Sequence, residues 1–176
     1  MTRVMFACVF GWILLFSGVK PPIAVKAGVQ WKSLQEAEAA KKLNNKPLII
    51  DLYTDWCGWC KVMDKKTYSD KKVVEYLDEK FYAVKLDAET REDIKWAGKT
   101  FKFNPSYKTN DIAMYLTQGN LAFPTTVFIP SDGSAPQAIP GYLTPKQFEI
   151  ILKYFGEGYY SRISFEDYQK TFKPKW

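Results

Sequence analysis

The sequence predicts an α/β domain around a central mixed β-sheet flanked by helices, and three observations carry that expectation. Short apolar runs rich in β-branched and aromatic residues, LIIDLY (48–53), FYAVKLD (81–87) and TTVFIP (125–130), read as buried strands. Segments that open on helix caps lie between and around them. Late in the chain, Ser131-Asp132-Gly133-Ser134 reads as a turn that returns the third run onto a short partner, QAIPGY. Strand–helix alternation followed by a hairpin points to a mixed sheet. With 176 residues, 47% of them hydrophobic, the chain suits one domain with a substantial core.

Residues 1–27 read as a signal peptide. Thr2-Arg3 precedes an apolar run from Val4 to Val19, Lys20-Pro21-Pro22 follows, and the small residues Val25 and Ala27 set a cleavage site after Ala27. The alternative is a retained membrane anchor, but the run falls short of the ~20 apolar residues that span a bilayer. Cys8 lies inside the run rather than at its end, which argues against lipid attachment there. Removing Arg3, Lys20 and Lys26 leaves 22 basic residues against 19 acidic ones, a net charge of +3 rather than +6. The remaining lysines are scattered among acids with no arginine-rich stripe, so nucleic acid is not an expected partner. Residues 28–176 form the expected domain, in an extracytoplasmic setting such as the periplasm.

The first helix starts at Ser33-Leu34-Gln35-Glu36, a capping box in which Ser33 and Glu36 satisfy each other's free backbone donors, and runs to about Asn44. Lys46-Pro47 breaks it before the first strand. DWCGWCK (55–61) follows that strand at once and opens a helix through about Lys65. Ser69-Asp70 caps the next helix, VVEYLDEK, ahead of the second strand. From Asp87 to Phe123 the pattern weakens: a short helix near Arg91–Ala97 and another near Asn110–Leu116 flank a loop with Asn104-Pro105. Thr144-Pro145-Lys146-Gln147 supplies an N-cap, a proline at the first helical position and a Gln for a capping box, starting a helix that ends at Gly156. An aromatic segment, SFEDYQKTF, forms a docking helix in the C-terminal extension 157–176.

The chemistry hangs on Cys57 and Cys60. A closed zinc site needs four ligands, usually Cys or His, and residues 28–176 hold two Cys and no His. Iron–sulfur ligation fails on the same count, and haem attachment fails because Lys61 stands where His is required. A zinc bridge between two chains and a structural staple remain as alternatives, although so short a loop gains little from being closed. In the redox reading, Cys57 begins a helix directly after a buried strand, where unpaired N–H groups and the positive end of the helix dipole favour thiolate. Cys60, one turn later, is close enough to resolve a mixed disulfide. On this reading Cys57 is exposed and Cys60 shielded.

DLYTDWCGWCK, AVKLD, FPTTVFI and PGYLT together resemble the thioredoxin superfamily, from Trp31 to about Gly156. The CGWC and KVMDKKTYSD behind it are closer to exported thioredoxin-like proteins than to cytosolic thioredoxins, whose middle pair is Gly-Pro. The resemblance implies a thioredoxin-like fold with Cys57 as nucleophile and Cys60 as resolving thiol of a redox disulfide. It also implies Asp51 as the buried acid that deprotonates Cys60, and Lys85 as that acid's companion. Trp56, Gly58, Trp59, Phe123, Pro124 (as a cis-proline) and Gly141 would contact substrate. Each has a plainer reading: Asp51 as a strand-end acid, Lys85 as a surface lysine, the tryptophans as packing residues, Pro124 as trans.

Two departures stand out. Trp59 replaces the usual proline or histidine and carries no charge to stabilise a thiolate, which leans the protein toward a reductant. The 88–123 connection is longer than a minimal thioredoxin needs. The implied activity is an exported thiol–disulfide oxidoreductase acting as a monomer on protein disulfide or thiol substrates, without metal or organic cofactor, and drawing electrons from a membrane protein. Oxidase or isomerase activity, and a non-catalytic protein-binding module, are the alternatives.

Overall fold

The computed structural model describes residues 28–176. The expected signal peptide, with Cys8, lies outside them. Helix α1 (Leu34–Leu43) carries the capping box between Ser33 and Glu36. Strand β1 (Leu48–Tyr53) leads into α2 (Gly58–Lys66), and α3 (Lys71–Lys80) leads into β2 (Tyr82–Asp87). Asp70 caps α3 by accepting from the N–H groups of Lys72 and Val73. The first two strands lie parallel, with Asp51 opposite Lys85.

The long connection differs from its expected form. Where a helix was expected near Arg91–Ala97, β3 (Ile94–Trp96) and β4 (Lys99–Phe101) form an antiparallel hairpin. Its two-residue turn is Ala97-Gly98, with φ of 49° and 75°, the left-handed pair that a tight hairpin turn demands. Ile94 and Trp96 are buried while Lys95 is exposed, a period of two rather than a helical stripe. A second ladder, β5 (Phe103–Asn104) with β6 (Thr109–Asn110), leads into α4 (Asp111–Thr117), the second helix expected there. Asn110 ties the segment together: its backbone N–H donates to Ala88, its side-chain NH2 to the carbonyl of Glu92, and its side-chain oxygen caps Ile112.

β7 (Thr125–Ile129) runs antiparallel to β1, and β8 (Gln137–Pro140) antiparallel to β7, giving the order β2-β1-β7-β8. Thr144 and Gln147 form the expected capping box of α5 (Pro145–Gly156), with Pro145 in its first turn. A 3-10 turn (Tyr159–Ser161) and α6 (Phe165–Thr171) complete the chain. Among the described residues no helix is long and apolar enough to cross a membrane.

Alternation along the strands divides the core in two. Leu48, Ile50, Leu52, Val84 and Val127 pack against α1, α4 and the β3 residues Ile94 and Trp96. On the opposite face Ile49, Ala83 and Phe128 meet Met63 of α2, Leu77 of α3 and Phe148 and Leu152 of α5. Phe128 stacks on Phe155 at 4.2 Å. Each fully buried side chain of this size contributes about 1.5–3 kcal/mol. Asp51 points to this second face, a polar residue in an apolar layer.

Candidate active site

β1 ends at Tyr53, and the chain turns through Thr54, Asp55 and Trp56 before α2. Cys57 is the N-cap of that helix: its N–H donates to the Thr54 carbonyl at 3.1 Å, and its Sγ accepts from the Cys60 N–H at 3.0 Å. The two cysteines form a disulfide with their Cα atoms 5.3 Å apart. The sequence leads to an exposed Cys57 and a shielded Cys60, but each is only 4% exposed. In the oxidised pair both sulfurs turn inward to each other. The asymmetry expected of the thiols is therefore not a property of the disulfide.

The tryptophans carry the exposure instead, Trp56 at 67% and Trp59 at 61%. Both are braced. The Trp56 Nε1–H donates to Glu89 Oε1 at 3.0 Å, and its ring meets Phe123 edge-on at 5.9 Å. Trp59 lies 5.5 Å from the Tyr142 ring. The Phe123-Pro124 peptide bond is cis, and the Pro124 carbonyl accepts from the Gly141 N–H at 2.8 Å. Gly141 has φ of 98°, a conformation that suits glycine. Trp59, Phe123, Pro124, Gly141 and Tyr142 line a shallow groove of about 400 Å³. Gly58 opens α2, and a Cβ there would meet nothing within 4 Å, so packing does not require glycine at that position.

Asp51 and Lys85 meet behind this surface. Lys85 Nζ lies 2.8 Å from Asp51 Oδ2 and 2.5 Å from Oδ1 of Asp64, four residues beyond Cys60 on α2. The ammonium also sits 4.9 Å from the Tyr53 ring centroid and 5.1 Å from that of Trp31. This is neither a surface lysine nor a simple strand-end acid. Burial holds the Asp51 carboxyl above the usual carboxylate range, with Lys85 offsetting only part of the effect. Burial pulls Lys85 down, but Asp51 and Asp64 outweigh it and leave the ammonium above its ordinary value.

Seven of the expected residues (Trp56, Cys57, Trp59, Cys60, Phe123, Pro124 and Gly141) thus gather around the disulfide and its groove, with Gly58 between the cysteines. Asp51 and Lys85 form an ion-paired layer behind it. Sequence reasoning missed Asp64, Glu89 and Tyr142. Asp64 had a signal, since it lies one helical turn beyond Cys60. Glu89 had none, because it reaches the site from a loop, whereas Tyr142 stands next to Gly141 in PGYLT.

A mixed sheet with helices on both faces and a CxxC disulfide at a helix start defines a thioredoxin-fold redox protein. The chain belongs to the thioredoxin-like domain family, whose sequence pattern matches residues 34–156. It is 28% identical over 127 residues to the thiol:disulfide interchange protein DsbD of Escherichia coli K12, covering 70% of this chain and 20% of that protein. The curated relatives it matches are much longer: the chain spans between 8% and 20% of their length. Among solved structures, the DsbH oxidoreductase superposes with a TM-score of 0.54 at 17% identity, over 81% of this chain and 92% of that one. A thioredoxin-fold protein from Helicobacter pylori gives 0.55 at 21% identity, over 72% and 80%. At these identities the two structures speak for the fold.

Proposed function

We propose that the protein is an extracytoplasmic thiol–disulfide oxidoreductase that reduces protein disulfides through Cys57 and Cys60. The observation that carries this reading is the disulfide at the start of α2, with Cys57 as N-cap and its sulfur facing the Cys60 N–H. Once the pair is reduced, that N–H and the helix N-terminus favour the Cys57 thiolate. The thiolate attacks one sulfur of a substrate disulfide. A mixed disulfide forms, and the other substrate sulfur leaves as a thiolate that takes a proton from water. Cys60 then gives its proton to Asp51 and attacks Cys57 Sγ, breaking the mixed disulfide. The substrate departs as a dithiol, Cys57–Cys60 is oxidised, and two electrons have passed to the substrate.

The braced tryptophans and the Phe123–Tyr142 groove suit an extended peptide laid beside the disulfide. The likeness to a thiol:disulfide interchange protein supports the reaction class. The apolar run and the small residues at Val25 and Ala27 support export, and outside the cytoplasm a membrane protein would return the electrons. Insulin reduction by residues 28–176 with a chemical reductant tests the activity. Turnover that disappears in Cys57→Ser is expected. A wild-type protein that leaves insulin intact would make the fold a binding module. For export, N-terminal sequencing of protein recovered outside the cytoplasm should begin at Gly28; a chain retaining Trp12 would point to an anchor instead.

A further inference from the structure

Three buried oxygens on the α2 side of the sheet have no protein hydrogen bond among the described residues: Asp51 Oδ1, the Tyr68 hydroxyl and Thr126 Oγ1. Their proximity follows from the fold. Thr126 of β7 is the register partner of Asp51 on β1, so both side chains leave the sheet on the same face. Tyr68 follows α2 and is anchored by its N–H to the Met63 carbonyl at 3.0 Å. Its ring is clamped edge-on between Trp31 at 4.9 Å and Phe148 at 5.8 Å. The hydroxyl is therefore held in place, near enough to Asp51 and Thr126 to feel both, yet short of a hydrogen bond to either.

Buried polar atoms left in this way are costly, and three at one place call for a common explanation. An ionised carboxylate only accepts, whereas each hydroxyl can donate or accept. Asp51 Oδ2 is taken up by Lys85, which leaves Oδ1 to the hydroxyls. A rotation of the two hydroxyls, or one water shared by the three oxygens, completes the set for either protonation state of Asp51.

We infer that Tyr68 is a positioning residue: its hydroxyl, with that of Thr126, cradles Asp51 Oδ1 and sets how readily Asp51 takes a proton. Its use in resolution by Cys60 rests on the function proposed above. In the oxidised protein, where the cysteines do not titrate, the other ionisable groups facing Asp51 are Lys85 from β2, Asp64 from α2 and Tyr53 from β1 itself. Burial, and next the charge of Asp51, push the Tyr68 phenol far above its ordinary value. Tyr68 therefore stays a neutral donor wherever Asp51 titrates, and it acts by favouring the carboxylate.

The test is the titration of Asp51 in protein labelled with ¹³C at the Asp carboxyl carbons, compared between wild type, Tyr68→Phe and Thr126→Val. Tyr68→Phe removes the hydroxyl and keeps the ring, and Thr126→Val puts a methyl group in place of the hydroxyl. Each should raise the Asp51 midpoint by about half a pH unit or more, roughly threefold in proton affinity. The pH profile of mixed-disulfide resolution should move with it, and Tyr68→Phe should have no further effect in an Asp51→Asn background. An Asp51 midpoint unchanged in both variants overturns the cradle. Because the titration needs no turnover, a protein inactive on insulin whose midpoint still moves keeps the cradle and loses the proposed activity. An active protein with an unmoved midpoint does the reverse.

Discussion

Asp51 and Lys85 face each other across 2.8 Å, yet both hold protons more tightly than usual. The two shifts are compatible because the partners are not equally placed. The Asp51 side chain is 3% exposed and shares its one cation, whereas Lys85 is 24% exposed and has two carboxylates. Desolvation therefore governs the acid, and attraction governs the base. The sign of the pH dependence follows. An acid whose folded-state pKa is raised takes up a proton on folding, so its contribution to stability grows as pH falls through the folded value and is complete below the unfolded value of about 3.9. Asp51→Asn should gain most over wild type at neutral pH, and this gain should shrink on acidification through the Asp51 midpoint. Urea unfolding of the two proteins between pH 4 and 8 measures it, and a pH-independent difference would contradict the buried-acid account. The cysteines give a second prediction. With Cys57 as nucleophile, Cys60→Ser should accumulate mixed disulfides with clients and Cys57→Ser should not, as read on non-reducing gels. Equal trapping would remove the order of attack. The cysteines were legible because their spacing is local, whereas Asp51 and Lys85 came from the resemblance, since two helices separate their strands in the chain. Tyr68 and Thr126 were not legible, since an orphaned hydroxyl becomes visible only when three elements converge.

The hairpin β3–β4 shows where local reading failed. Arg91-Glu92-Asp93-Ile94-Lys95-Trp96-Ala97 has charges and an alanine that suit a helix, and no proline or Asn-Gly marks a turn. The decisive residues are Ile94 and Trp96, which alternate and find the apolar floor under Leu52 and Leu86. Burial of two large side chains outweighs helix propensities of a few tenths of a kcal/mol each. The two-residue strands β5 and β6 were likewise expected as loop, but the other strands and the capped helices were readable within a residue or two because caps and apolar runs coincide there. The hairpin instead forces Ala97 to φ of 49°, where a Cβ is unfavourable by about 1 kcal/mol. Ala97→Asn, creating the Asn-Gly pair preferred in such turns, should stabilise the protein by about 0.5–1 kcal/mol, measured by thermal or urea unfolding. A helical 91–97 segment would instead be weakened by that change, so the sign of the effect separates the two conformations.

The C-terminal segment is anchored to the domain at one buried acid and by a cluster of aromatic contacts. Glu149 of α5 is wholly enclosed, paired with Lys153 of the same helix, and its oxygens accept the backbone N–H groups of Lys175 at 2.8 Å and Trp176 at 3.1 Å. Around this anchor Tyr168 of α6 packs on Tyr154 at 5.4 Å and Tyr159 at 4.6 Å, and the Trp176 ring meets Tyr76 of α3 at 5.7 Å. The extension thus buttresses α3 and α5, the helices that cover the Asp51 face, and does not take part in the groove beside Cys57. Burial works against the Glu149 carboxylate, but Lys153 and the two N–H groups outweigh it and hold its pKa below the usual range. For an acid of this kind the stabilisation is present above the unfolded pKa of about 4.3 and is lost as pH falls through the lower folded value. Glu149→Ala strands Lys153 and two backbone donors in a nearly closed site, and should cost about 3 kcal/mol at pH 7. Amide hydrogen exchange should then rise at Lys175 and Trp176 and through α6, while the Cys57 alkylation rate of the reduced protein stays as in wild type. If exchange in 165–176 were unchanged, the tail would be held by its aromatic contacts alone; if Cys57 reactivity changed as well, the buttress would extend to the redox site.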